Sequence, residues 1–129
     1  MKSEVRIGRL KGSGAAINLT TATQVIGGLS VTLDIPKGHV ALVTYGGVTV
    51  VNNSVTTVEL EADGAIVAYG VVSSDPANGT NEALNQSWLL TAGRRAVRVL
   101  CRANAAAGQL DPNTSMLSWI IAPQGGVAN

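Results

Sequence analysis

Residues 55–72 read VTTVELEADGAIVAYGVV. In the first half Val58 and Leu60 alternate with Glu59 and Glu61, the period of a strand with one buried and one solvated face. Asp63-Gly64 follows, and then the β-rich run Ala65–Val72. A two-residue Asp-Gly link between such runs is the strongest short-range hairpin signal a sequence offers. An antiparallel hairpin is expected here, and the rest of the chain must bury its apolar face.

Working outward, the same period recurs. Leu29, Val31, Leu33 and Ile35 alternate with Ser30, Thr32 and Asp34, which predicts a half-buried antiparallel strand. Pro36-Lys37-Gly38 reads as a turn, and HVALVTYG (39–46) follows as the next strand. Val48–Val51 is strand-like and ends at Asn52-Asn53-Ser54. Residues 73–87, SSDPANGTNEALNQS, are rich in turn formers and read as a long surface loop with a short helical turn around Glu82–Asn85. Trp88–Leu90 starts a strand, Ala92-Gly93 turns, and 95–103 place Val97, Val99 and Cys101 inward with Arg98 and Arg102 outward. After a loop over 104–114, residues 115–122 set Leu117, Trp119 and Ile121 on one face and Met116, Ile120 and Ala122 on the other, so both faces of this strand are expected to be covered. About eight strands at regular spacing, with no amphipathic helix long enough to cover a sheet, imply an all-β antiparallel sandwich or barrel.

Residues 1–14 carry Lys2, Arg6, Arg9 and Lys11 against Glu4, with Gly8, Gly12 and Gly14 interleaved, and charge then nearly vanishes for twenty residues. This reads as a basic arm (1–14) joined to one domain (15–123), with a polar tail (124–129). At 129 residues a second folded domain does not fit.

Composition limits the function classes. Hydrophobic residues make up 46% and charged residues 13% of the chain, so disorder through charge excess is excluded and part of the surface is expected to be covered by neighbours. A formal charge of +1 gives no field to recruit nucleic acid or an anionic membrane. No apolar stretch follows the basic N-terminus as in a signal peptide, and no run of about 18 apolar residues is present to span a membrane as a helix.

The chemistry-bearing residues are few. His39 is the only histidine and sits beside a turn; Cys101, the only cysteine, has the inward parity of its strand and reads as a small hydrophobe. Glu59 and Glu61 share a strand face at about 6.5–7 Å, a separation paired-carboxylate hydrolysis uses, but they are sufficiently explained as a solvated face. Asp63 is explained by its turn. Neither a catalytic set nor a cofactor or metal site is expected. Arg94, Arg95, Arg98 and Arg102 concentrate on one hairpin, and a subunit contact to acidic residues is their expected use; without interleaved aromatics, nucleic acid is disfavoured. Asn-x-Ser/Thr triplets at Asn18, Asn52, Asn78, Asn85 and Asn113 read as a by-product of Asn- and Thr-rich loops. Tyr45, Tyr69, Trp88 and Trp119 are the only large rigid side chains, and such residues anchor cores and interfaces.

The order of segments, Asp63-Gly64, Trp88, Leu90-Thr91-Ala92-Gly93, Arg95-Ala96-Val97-Arg98-Val99 and Met116-Leu117-Ser118-Trp119-Ile120-Ile121, resembles the small jelly-roll domains of the C1q and tumour-necrosis-factor type found in phage virion proteins. The resemblance covers about the last two-thirds of the chain and carries over no functional residue. It implies a jelly-roll β-sandwich acting as a homotrimer that decorates the capsid surface, with the major capsid protein or another virion subunit as partner. The expected contact residues are Lys2, Arg6, Arg9, Lys11, Tyr45, Tyr69, Trp88, Arg95, Arg98, Arg102 and Trp119. The alternative is a fibre-tip or lectin-like head recognising a glycan through Trp88 with Asn81, Glu82 and Asn85.

Overall fold

The computed structural model describes residues 5–51, 54–73, 80–106 and 108–124; for 48–51, 72, 73 and 80–85 it describes the backbone alone. The strands are β1 (Arg6–Lys11), β2 (Ile17–Asn18), β3 (Gln24–Val51), β4 (Val55–Ala62), β5 (Ala65–Ser73), β6 (Thr80–Ala103), β7 (Gln109–Leu110) and β8 (Met116–Pro123), with one 3₁₀ turn at Pro112–Thr114.

The Asp63-Gly64 hairpin forms as its sequence dictates: both residues have positive φ, 53° and 83°, which Asp tolerates and Gly adopts freely. The hairpin extends much further than its two strands. Ala62 faces Ala65, Val55 faces Ser73, Val51 faces Thr80, Gln24 faces Cys101 and Arg6 faces Ile121. The chain is therefore one long antiparallel hairpin with its tip at Asp63-Gly64. It is rolled up, so that β4 also pairs β6 and β3 also pairs β8.

Rolling produces two packed sheets, because β3 and β6 each cross from one to the other. The first sheet holds β1, β8, residues 39–51 of β3 and residues 80–91 of β6. The second holds residues 24–35 of β3, residues 93–103 of β6, β4 and β5. At the crossing Ile35 faces Gly93 and Val40 faces Thr91, so four residues of β3 oppose one of β6, and Gly38 and Gly93 both take positive φ. Pro36-Lys37-Gly38 and Ala92-Gly93, expected as turns, are this bend in two continuous strands; such an insertion re-aims a strand without ending it. The architecture is an antiparallel jelly-roll β-sandwich with four long strand segments per sheet. β2 and β7 pair with each other, and β7 also borders β3.

Between the sheets lies one apolar core, including Leu29, Leu33, Ile35, Ala41, Val43, Tyr45, Val58, Leu60, Val97, Val99, Cys101, Leu117 and Ile121. Each large aliphatic side chain buried there stabilises the fold by roughly 1.5–3 kcal/mol relative to exposure.

Two expectations are corrected. Residues 6–11 of the predicted arm are strand β1, paired to β8 from Arg6↔Ile121 to Lys11↔Met116. Ile7 and Leu10 have opposite parity, and the glycines that suggested an arm accompany a paired edge strand. Within the predicted loop 73–87, residues 80–87 belong to β6, in register with residues 44–51 of β3. The helical turn expected at 82–85 is strand: ladder pairing overrides the weak local propensity of Asn-Glu-Ala-Leu-Asn. Residues 74–79 and most of the tail, 125–129, lie outside the described residues.

Candidate interaction surfaces

The two sheets turn different outer faces to solvent. On the second sheet, β6 places Arg98 and Arg102 beside Glu61 and Glu59 of β4. The Arg98 guanidinium donates to both Glu61 carboxylate oxygens, the Nη2–Oε2 contact at 3.3 Å, and Arg102 Nε lies 3.7 Å from Glu59 Oε1. Hydrogen bonding to Glu61 and its negative charge push the Arg98 pKa up. Between the two arginines along β6 stands Leu100, paired to Glu59 and Val25. It has outward parity, yet is 5% exposed without belonging to the core cluster. Arginine stems cover apolar neighbours while their heads stay wet, and Arg98 and Arg102 flank Leu100 two positions away on the same strand face. The acidic partners expected in another subunit for Arg98 and Arg102 are thus on the adjacent strand of the same chain.

Arg95 is also engaged at home. It donates to Asp63 Oδ2 at 3.2 Å, Thr91 Oγ1 at 2.8 Å, Thr91 O at 3.0 Å and Ala92 O at 2.7 Å. Asp63 in turn accepts from the Ala96 N–H through Oδ1 at 2.9 Å, and its own N–H donates to Ala96 O at 2.8 Å. The Ala96 hydrogen bond first, then the one from Arg95, hold the Asp63 carboxyl below the usual carboxylate range. Its role exceeds the turn: it locks the hairpin tip to β6.

Among the described residues, the first sheet has no such lattice. Ile7 faces Ile120, Ile120 faces Leu42, and Leu42 faces Leu89, so one outward row crosses all four strands. These side chains are 77%, 44%, 42% and 55% exposed, in the order Ile7, Ile120, Leu42, Leu89. The next row holds Ala122, Val40 and Thr91, with exposed Val5 at the start of the described chain. On the other side lies Arg9–Ser118–Thr44–Ser87, where Thr44 and Ser87 share a hydroxyl hydrogen bond at 3.1 Å. Among the described side chains, charge on this face is confined to edge strand β1, at Arg9 and Lys11, which form no ion pair with other described residues. A contiguous apolar band rimmed by polar groups marks a contact surface.

The aromatic residues separate. Tyr45 is 1% exposed, its hydroxyl bonded to Ser115 Oγ at 3.0 Å and its pKa pushed up by burial, so it is core and not a contact residue. Trp119 is half-buried, packs against the core and covers Gly8, where any side chain would collide with the indole. Tyr69, 64% exposed on β5, and Trp88, 44% exposed, remain at the surface. Trp88 lines a cleft with Asp63, Val67, Leu89 and Arg95. The side chains of Asn81, Glu82 and Asn85, and all of Lys2, lie outside the described residues.

Chemical groups stay dispersed. Cys101 is fully buried, and burial pushes its thiol up to about 11. His39 Nδ1 lies 3.2 Å from Lys37 O in the bend. Among the described residues no three of His, Cys, Asp and Glu gather where a metal ion could be held.

Sequence reasoning marked the face of Ile120 as one to be covered but missed Ile7, Leu42 and Leu89. The available signal was apolar residues on both parities of 39–46 and 116–122; their alignment into one row depends on strand register.

No protein-family model and no curated protein matches the sequence. Among solved structures, the chain is similar to latent PorU of Porphyromonas gingivalis at 13% identity and TM-score 0.55, over 96% of this chain and 13% of that one. It is similar to the Eiger TNF of S. frugiperda at 11% identity and TM-score 0.52, over 93% and 92% of the two chains. A chain of the T13 IBDV viral particle matches at 15% identity and TM-score 0.50, over 96% of this chain and 32% of that one. The chain spans small parts of the PorU and viral-particle chains, and the shared property at these identities is the fold: this is a jelly-roll domain of the kind found in a TNF and in a viral particle.

Proposed function

We propose that the chain is a structural virion protein, a non-catalytic capsid decoration or cement protein that binds the capsid surface as a homotrimer. The observation that carries this reading is the uncharged apolar row Ile7–Ile120–Leu42–Leu89 across the first sheet. A free-standing monomer gains nothing from keeping such a row in water, whereas a subunit interface buries it. Jelly-roll neighbours from a TNF and a viral particle agree with an assembling role. Sedimentation equilibrium of the purified chain should give a trimer, and the protein should rebind particles of its virus from which it has been stripped. A monomer that leaves stripped particles bare overturns the reading.

A second reading, a fibre-tip or lectin-like head, is favoured by Trp88, half-exposed in a cleft with Asp63 and Arg95. An exposed indole beside polar groups can stack a sugar ring. A blank glycan array removes this reading; glycan binding abolished by Trp88→Ala would establish it.

A further inference from the structure

We propose that the cleft lined by Trp88 is a site for an uncharged hexopyranose: the indole packs on the C–H face of the ring, and the Asp63 carboxylate takes two neighbouring hydroxyls. Such a site belongs to the lectin-like head of the second reading above and rests on it.

The cleft opens at a rim of the first sheet. Residues 80–91 of β6 pair with β3 alone. Trp88 lies opposite Val43, which is fully buried in the core, so it has the inward parity of its strand, yet at the rim it is 44% exposed. Val67, which also lines the cleft, is a bulge in β5: it has no partner between Glu61↔Ile66 and Leu60↔Ala68, and it packs half-buried against the core. Bulges re-aim side chains and gather beside sites. Ala62 and Leu90 complete the apolar lining, and the space is about 400 Å³, within the roughly 300–1,000 Å³ of small-molecule sites.

The polar lining is Asp63, Arg95 and Thr91. Among the described residues, Asp63 Oδ1 accepts from the Ala96 N–H at 2.9 Å and Oδ2 from Arg95 at 3.2 Å. A carboxylate offers about four lone-pair positions, so about two stay open on a side chain that is 43% exposed. All but one of the N–H groups of Arg95 are engaged, by Asp63, Thr91 O, Thr91 Oγ1 and Ala92 O. Thr91 Oγ1 accepts from Arg95, which leaves its own hydrogen to donate. These groups are held in place before a ligand arrives, which lowers the cost of binding one.

This chemistry selects the ligand. An open carboxylate calls for O–H donors, and hydrogen bonds to an ionised acceptor are strong. Two adjacent sugar hydroxyls supply them. An aliphatic side chain in the same cleft would cover the carboxylate without satisfying it, which is costly. An acidic sugar would be repelled by Asp63, and the one nearby cation is already paired with that carboxylate. An uncharged pyranose brings an apolar face for the indole, hydroxyls for Asp63 and Thr91, and no charge.

The test applies the full-length chain to an array of neutral, sialylated and sulfated glycans, and titrates methyl hexopyranosides of gluco, galacto and manno configuration against tryptophan fluorescence. The expected result is capture of neutral glycans, with an emission shift that is absent in Trp88→Ala. Periodate cleavage of vicinal diols, followed by borohydride reduction, should abolish capture. Trp88→Ala and Asp63→Asn should each weaken binding at least about ten-fold, while Trp88→Phe, which keeps a ring, retains part of it; circular dichroism checks that each variant is folded. Capture of sialylated or sulfated glycans alone, or neutral-glycan binding indifferent to both Trp88→Ala and Asp63→Asn, overturns this proposal and leaves a lectin-like head with a different site. A blank array overturns both.

Discussion

The two outer faces of this sandwich share the pleat of a β-sheet but differ in what they carry. On the second sheet, the chain's own ion pairs, Arg98–Glu61 and Arg102–Glu59, stand on either side of the buried Leu100, with Val25, Tyr69 and Val71 exposed around them. On the first sheet, Ile7, Ile120, Leu42 and Leu89 form a row of exposed apolar side chains. The difference teaches that exposed apolar area here is a local choice. The same chain sets two ion pairs across one face and an apolar row across the other, and exposed apolar rows of this kind are where partners bind.

The largest expected effect tests the open face. Leu42→Glu with Ile120→Glu should reduce self-association at least about a hundred-fold, some 2.7 kcal/mol, while the melting midpoint of the single chain stays close to wild type. Sedimentation equilibrium reads the first and calorimetry the second; unchanged association would make the row a mere surface feature. Next in size, Leu100→Ala should cost about 2–4 kcal/mol in urea unfolding, as a core residue does, with association untouched. A loss typical of an exposed leucine would mean that the arginine stems are no lid. Smaller again is Arg98→Glu, expected to lower the melting midpoint by a few degrees by repelling Glu61, with partial recovery when Glu61→Arg is added. No recovery would show that the pair does not act as a unit.

The smallest effect is at the hairpin tip. The folded-state pKa of Asp63 is depressed, so its contribution is present above the ordinary carboxylate value near about 3.9 and is lost as pH falls through the lower folded value. Asp63→Asn keeps the turn but loses the charge on Arg95. Wild type should exceed the variant in stability at neutral pH, and the two unfolding curves should converge in acid. A gap that persists at low pH would assign the effect to geometry instead.

What was legible in the sequence was local. Asp63-Gly64 specifies its turn through backbone conformation alone, and the alternation at 29–35 and 95–103 shows on each strand which side chains face inward. What was not legible depends on register between distant segments. Asn81–Ser87 resemble a loop by composition and become strand because residues 44–50 of β3 offer a ladder. Arg98 and Glu61 are 37 residues apart, and only the β4–β6 pairing makes them partners. The four residues of the apolar row come from four strand segments, each unremarkable alone. Pro36-Lys37-Gly38 and Ala92-Gly93 carry turn chemistry, yet which of bend or reversal results is decided by the strands opposite.

The hairpin that runs from Arg6↔Ile121 to Ala62↔Ala65 also shapes how the molecule is made. Pairs form cheaply when the loop they close is short, and each added pair along a hairpin shortens the next closure. Assembly can therefore begin at Asp63-Gly64, where the clamp to Ala96 and Arg95 holds the tip, and zip outward toward the termini. β1 and β8, whose strands carry half of the apolar row, then pair last, so the sticky surface is completed only once the rest of the fold is in place.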